Sequence, residues 1–222
     1  MNRKILIKYS VPFFAVMLLA ASCTTKPAGE EDRTLRIVYT DWSESLAITY
    51  LSAVLLEEEM DYSVTLKLTD VETAYKEVAD GEADIFADAW LPVTHQQYMD
   101  LYQGKIVTIG IIYPEARTGF VVPGYSSLES VSDVKNYPQP IIGIDEGAGV
   151  MQKAREAIRK YSIPGPLLDL SEEEMIEHLE DSVKRREEVV VTGWEPHWIF
   201  ARYDVRFLED PDNVFGKKES IY

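Results

Sequence analysis

The chain has 222 residues, 38 of them acidic and 22 basic, and a formal net charge of -16. That surplus of negative charge argues against nucleic acid or an anionic membrane surface as a partner. A single cysteine excludes an internal disulfide framework.

Arg3, Lys4 and Lys8 precede an apolar run from Val11 to Ala21 that is too short to span a bilayer comfortably, so residues 1–22 read as an export signal outside the fold. Ala20, Ala21 and Ser22 lead directly into Cys23. The arrangement resembles a lipobox, with Ala20 where Leu is usual. In that reading Cys23 is lipidated and tethers the protein to a membrane without a transmembrane helix; an ordinary cleaved signal is the alternative. Residues 23–33 are polar and suit a flexible tether. Losing the three leader bases takes the charge from -16 to -19.

From Thr34 onward short β-branched runs alternate with helical stretches, the pattern of a parallel sheet covered by helices. Leu35 to Tyr39 is the first predicted strand. Glu44 to Glu59 follows, with Leu46, Ile48, Leu51, Val54 and Leu55 near helical spacing. Val64 to Leu68 is the second strand. A helix over Val71 to Asp80 stops at Gly81, and Ala83 to Ala89 is the third strand. Lys105 to Pro123, rich in Val, Ile and Tyr, reads as strands running between two lobes. The series then repeats: strand Ile141 to Ile144, helix Gly149 to Tyr161, strand Leu167 to Leu170, helix Ser171 to Val183, strand Val189 to Thr192. The expected divisions are residues 34–112 for lobe I and residues 113–222 for lobe II with the crossing segment. Two such lobes create a cleft, and ligands lie beyond the carboxyl ends of the strands.

Trp42, Trp90 and Trp194 stand at three such strand ends, where binding residues concentrate. Several indole faces around one point form an aromatic cage for a quaternary ammonium group. Trp198, four residues past Trp194, is assigned to packing within its lobe. The turn Gly143-Ile144-Asp145-Glu146-Gly147-Ala148-Gly149 joins a strand to a helix; it either lets backbone amides hold a small carboxylate or is simply a tight turn. It lacks the ending of a P-loop, and Asp145 and Glu146 would repel a polyphosphate. His95 opens a helix beside the proposed cage and could donate to a ligand carboxylate. His197 reads as a local loop contact and His178 as exposed. No metal-ligand spacing and no nucleophile elbow is present in the sequence, so no cofactor, metal or catalytic residue is expected.

These residues together resemble the substrate-binding proteins of glycine betaine and proline betaine ABC importers. The marks are Asp41-Trp42, Gly81-Glu82-Ala83-Asp84, Ala89-Trp90-Leu91-Pro92 with Thr94-His95, Gly143-Ile144-Asp145 with Gly147-Ala148-Gly149, and Thr192-Gly193-Trp194 with Pro196-His197-Trp198. The resemblance covers Leu35 to Tyr222. It implies an α/β, two-lobed periplasmic-binding-protein fold of type II with its ligand cleft between the lobes. It also implies a prism of Trp42, Trp90 and Trp194 around the trimethylammonium group, with the Gly143 and Ile144 amides and His95 on the carboxylate. Family chains usually continue past the strand resembling Val205 to Glu209 and add helices to the first lobe, so the C-terminal part of that lobe's cover is expected to be missing.

The function expected is therefore an extracytoplasmic, membrane-anchored lipoprotein that captures a small betaine for an ABC importer permease, with no nucleic acid partner. Alternatives are a choline- or carnitine-binding homologue, with Glu44 near the cage as the signal for choline, or a truncated surface protein without transport function. An enzyme acting on a small amine would have only His95 or Glu44 as a nearby base.

Overall fold

Side-chain alternation and cap chemistry build the first of two sheets. β1 (Thr34–Tyr39) lies parallel to β2 (Ser63–Leu68) in full register, Thr34 opposite Ser63 through Tyr39 opposite Leu68, and parallel to the short β3 (Ile85–Phe86) on its other side. Ile37 and Val38 are buried beneath α1 (Ser43–Glu58) and α2 (Val71–Asp80). The Asp70 carboxylate accepts the Thr73 N–H at the start of α2, and Gly81 ends that helix in the left-handed region at φ +74. This is the first lobe. The computed structural model describes residues 33–222, so the export signal, Cys23 and all of the tether except Arg33 lie outside the described residues.

The remaining elements share a larger sheet. In chain order they are β4 (Trp90–Leu91), α3 (Gln96–Leu101), β5 (Tyr113–Pro123), a 3-10 turn (Val131–Asn136), β6 (Ile141–Ile142), α4 (Gly149–Tyr161), β7 (Leu167–Leu168), α5 (Glu172–Arg185), β8 (Val191–Glu195), α6 (Ile199–Arg202), β9 (Val205–Phe207) and β10 (Glu219–Ile221). The sheet order is β4-β10-β5-β8-β6-β7, with β9 also paired to β5. Its parallel part, β7-β6-β8, carries α4 and α5 and forms the second lobe. The antiparallel pairs β4-β10 and β10-β5 join the two lobes.

Several expected elements are altered. Only Ile85–Phe86 of the predicted strand Ala83–Ala89 pairs with β1; the chain then leaves that sheet and re-pairs at Trp90 against Ile221. Of the predicted crossing segment, residues 113–123 are strand, because β8, β9 and β10 all supply partners there. β8 begins later than expected and runs through Trp194, since Thr118 and Arg117 of β5 extend the ladder to Trp194 and Glu195. β10 carried too few apolar residues to be foreseen, and exists through its distant partners.

α1 turns the opposite face inward from the one its apolar spacing suggests. Glu44, Ser45, Thr49 and Ala53 are buried, while Leu51 and Val54 are more than half exposed. The helix enters from Trp42, whose loop is held by polar contacts across the cleft, and that anchoring fixes which face meets the interior.

Glu219 of β10 anchors the segment that follows β4. Its buried carboxylate accepts the Val93 and Thr94 N–H groups at 3.0 and 2.9 Å and also the Thr94 hydroxyl. Glu219→Ala strands two amides and is expected to cost about 2–4 kcal/mol, since each buried donor left unpaired carries its own desolvation penalty. Urea unfolding checks this; a loss under about 0.5 kcal/mol would contradict the role.

Candidate functional site

Three indoles expected at strand ends are brought to one place, although only Trp42 follows a strand. Trp42 follows β1 as the residue before α1, Trp90 opens β4, and Trp194 lies in β8. They are 7%, 3% and 3% exposed, and all three line one cavity with Glu44, Thr118, Ile144, Ala148, Gly149 and Val150. The cavity holds ≈ 270 Å³ of empty space, its open side included.

Each indole N–H is directed away to a carboxylate. Trp42 Nε1 donates to Asp145 Oδ2 at 3.2 Å, Trp90 Nε1 to Asp88 Oδ1 at 2.8 Å, and Trp194 Nε1 to Glu44 Oε2 at 2.6 Å. An indole has only this one donor, so satisfying it elsewhere leaves the apolar ring surface for the cavity.

The lobes also meet through a polar node at the mouth. Glu172, the first residue of α5, accepts the Ser43 N–H at 3.0 Å and the Ser43 hydroxyl. His197 Nε2 lies 3.1 Å from the same carboxylate, and its Nδ1 accepts the Ile199 N–H, which places the proton on Nε2. Trp198 Nε1 donates to Ser43 Oγ at 3.1 Å. Burial, the largest influence, pushes Glu172 upward, but the bonds from His197 and Ser43 outweigh it and leave the carboxyl below its ordinary value. Trp198 is 41% exposed and closes this node from outside the cavity.

The candidate ligand residues divide by position. Trp42, Trp90, Trp194 and Ile144 are brought together around the cavity, whereas His95 and Gly143 are not among its lining residues. His95 is 1% exposed and closes the Trp90–His95 loop from both ends: its Nδ1 accepts the Trp90 N–H, and its own N–H donates to the Trp90 carbonyl. Burial drives its pKa down to about 3, so the ring is neutral. The Gly143 N–H belongs to the sheet, bonded to the Leu168 carbonyl at 3.0 Å, and a Cβ there would strike Met151 and the Leu168 oxygen. The Ile144 N–H meets only the Met151 sulfur, a weak acceptor, at 3.3 Å.

Sequence reasoning missed Thr118 and Val150, and carried Gly149 only as the end of the amide turn. Thr118 Oγ1 is buried at the cavity with no hydrogen-bond partner among the described residues; only its pairing with Trp194 puts it there. The first turn of α4 places Gly149 and Val150 at the cavity and has no side-chain cap, so its leading amides lack an intrahelical partner. Gly149 is required at that point because a Cβ would collide with the Thr94 side chain of the facing segment.

The family described as the substrate binding domain of the ABC-type glycine betaine transport system matches residues 33–222. The chain belongs to this family. It is 34% identical over 125 residues to a glycine betaine/carnitine transport binding protein of Listeria monocytogenes, a match covering 53% of this chain and 41% of that one. Lactococcal OpuAC, solved closed with glycine betaine, superposes with a TM-score of 0.79 and 31% identity over 86% of this chain and 76% of that one. The ProX protein of Borrelia burgdorferi superposes at 0.80 with 33% identity over 85% and 73%. Both are two-lobed binding proteins, and the fold here is the same type II α/β arrangement.

Two of the three carboxyls that accept an indole N–H are fully enclosed. Burial pushes Asp88 up to about 7, partly offset by the Trp90 N–H. Burial, and then the neighbouring Asp88, push Glu44 well above its ordinary value. A raised acid stabilises the fold when protonated. The contribution is therefore full below about pH 4 and is lost as pH rises through about 7. Asp88→Asn keeps an oxygen for Trp90 and removes the ionisation. Its stability relative to the unsubstituted protein is expected to grow by roughly 2–4 kcal/mol between pH 4 and pH 8. Thermal melts across that range decide it; a gap independent of pH would refute the assignment.

Proposed function

We propose that this protein captures glycine betaine, or a similar quaternary ammonium compound, outside the cytoplasm and passes it to the permease of an ABC importer. A lipid on Cys23 holds it at the membrane in this reading. The observation that carries the proposal is the convergence of Trp42, Trp90 and Trp194 on one buried cavity that also holds the start of α4. Indole faces attract a methylated cation that cannot donate hydrogen bonds, each contributing roughly 0.5–2 kcal/mol. The opposite end of a betaine is a carboxylate. Unsatisfied amides at Gly149 and Val150, the helix dipole behind them, the weakly engaged Ile144 N–H and the orphan Thr118 hydroxyl suit that charge.

His95 and Gly143 act one layer back in this scheme, holding the Trp90 loop and the β6 end in place. The ligand leaves chemically unchanged. Closure follows from engaging groups of both lobes at once. The lactococcal relative closed on glycine betaine supports this reading.

One observation favours a second ligand. Glu44 lines the cavity, and a carboxyl there could substitute for the acid that choline lacks. Calorimetry with glycine betaine, proline betaine, carnitine and choline separates the two. Tightest binding of a betaine is expected, and choline as the sole ligand would reverse the choice. Trp90→Ala is expected to weaken betaine binding about 30-fold or more, whereas Trp198→Ala, outside the cavity, loses far less. Equal losses from both would break the proposed division of roles.

A further inference from the structure

We infer that Glu44 and Asp145 are positioning residues of the cage: each accepts the indole N–H of a cage tryptophan carried by the opposite lobe, so closure itself completes the cage. The inference rests on the functional reading above.

The exchange between the lobes is reciprocal. The first lobe supplies Trp42 and Glu44, from the loop after β1 and the first turn of α1. The second supplies Trp194, on β8, and Asp145, in the turn between β6 and α4. Trp194 Nε1 reaches Glu44 at 2.6 Å and Trp42 Nε1 reaches Asp145 at 3.2 Å, across 150 and 103 residues of chain. Trp90 differs, because its acceptor Asp88 lies two residues away on the same segment. With the lobes apart, Trp90 keeps its acceptor and remains a fixed ring on which a cation can land. Trp42 and Trp194 have lost theirs and are oriented only when the lobes meet.

Two physical consequences follow. A buried indole N–H without an acceptor is penalised, so these bonds select one rotation of each ring. A carboxyl oxygen accepting the N–H also polarises the indole, raising electron density on the face that meets the cation. The same assignment accounts for an acid in a glycine-rich amide turn that would otherwise suit only an anion. Asp145 serves the indole beside it rather than the ligand's carboxylate.

The test is a pair of double-mutant cycles on the full chain, with glycine betaine affinity read by calorimetry and dissociation by stopped-flow tryptophan fluorescence. Phe in place of Trp keeps an aromatic face and removes the N–H. Glu44→Ala and Trp194→Phe are each expected to weaken binding about tenfold, chiefly through faster dissociation, and the double variant to be no weaker than the poorer single one. Asp145→Ala with Trp42→Phe is expected to behave alike. Glu44→Gln and Asp145→Asn retain an acceptor oxygen and should recover most of the affinity. Should Glu44→Ala fail to fold, the Asp145→Ala and Trp42→Phe cycle tests the same relation from the other side of the cleft. Additive losses in both cycles, or unchanged dissociation in the alanine variants, overturn the inference while leaving the cage reading intact. Failure of the unsubstituted protein to bind any quaternary ammonium compound overturns the functional reading and this inference with it.

Discussion

Burying an indole ring creates one obligation, an acceptor for its single N–H, and the cleft of this protein is organised around meeting that obligation three times. Asp145, Asp88 and Glu44 take the three N–H groups. Because those bonds engage only the N–H, the rest of each ring is left to line a common space. The cost is carried by the acids: Glu44 and Asp88 are wholly enclosed and hold their protons far more tightly than exposed carboxyls do. A cation placed among the rings would relieve part of that penalty, whereas a neutral molecule of equal size would not.

The surrounding contacts keep the two lobes in register with this arrangement. Glu172 gathers Ser43 and His197 at the mouth, and Trp198 covers Ser43 from outside. Glu219 fixes the segment before His95, whose ring and backbone then close the loop that begins at Trp90. A glycine at 149 lets the start of α4 approach Thr94 of that same segment. The helix amides, the loop and the Trp90 ring are thus parts of one packed joint. A shift in any of them would be felt at the cavity wall.

The membership of the glycine betaine binding family agrees with this construction, as does the close superposition on solved relatives, of whose length this chain covers about three-quarters. The first lobe departs from a simple two-layer expectation at α1, which buries Ser45 and Thr49 and leaves Leu51 and Val54 outward. Polar contacts across the cleft outrank apolar spacing there, because they fix the helix at its first turn.

Local chemistry was enough to read much of the chain. The Asp70 cap, the Gly81 stop and the periodic apolar residues of α4 and α5 follow from interactions within a few residues, so those helices were legible. So was the placement of Trp42 and Trp90 at segment ends, and the acidity of the whole. What depends on residues more than 20 apart was not. The strand β10 exists because β4 and β5 flank it. Trp194 sits within β8 because Thr118 extends the ladder, and the same pairing brings an unpartnered hydroxyl to the cavity. The pairing of each indole with its carboxylate, two of them across the cleft, was equally invisible. Sequence alone determined which chemical groups are present and which short segments carry them, since propensity and capping act locally. Only the tertiary structure decided which of those groups face one another, because burial forces every polar atom to find a partner wherever the packed chain supplies one.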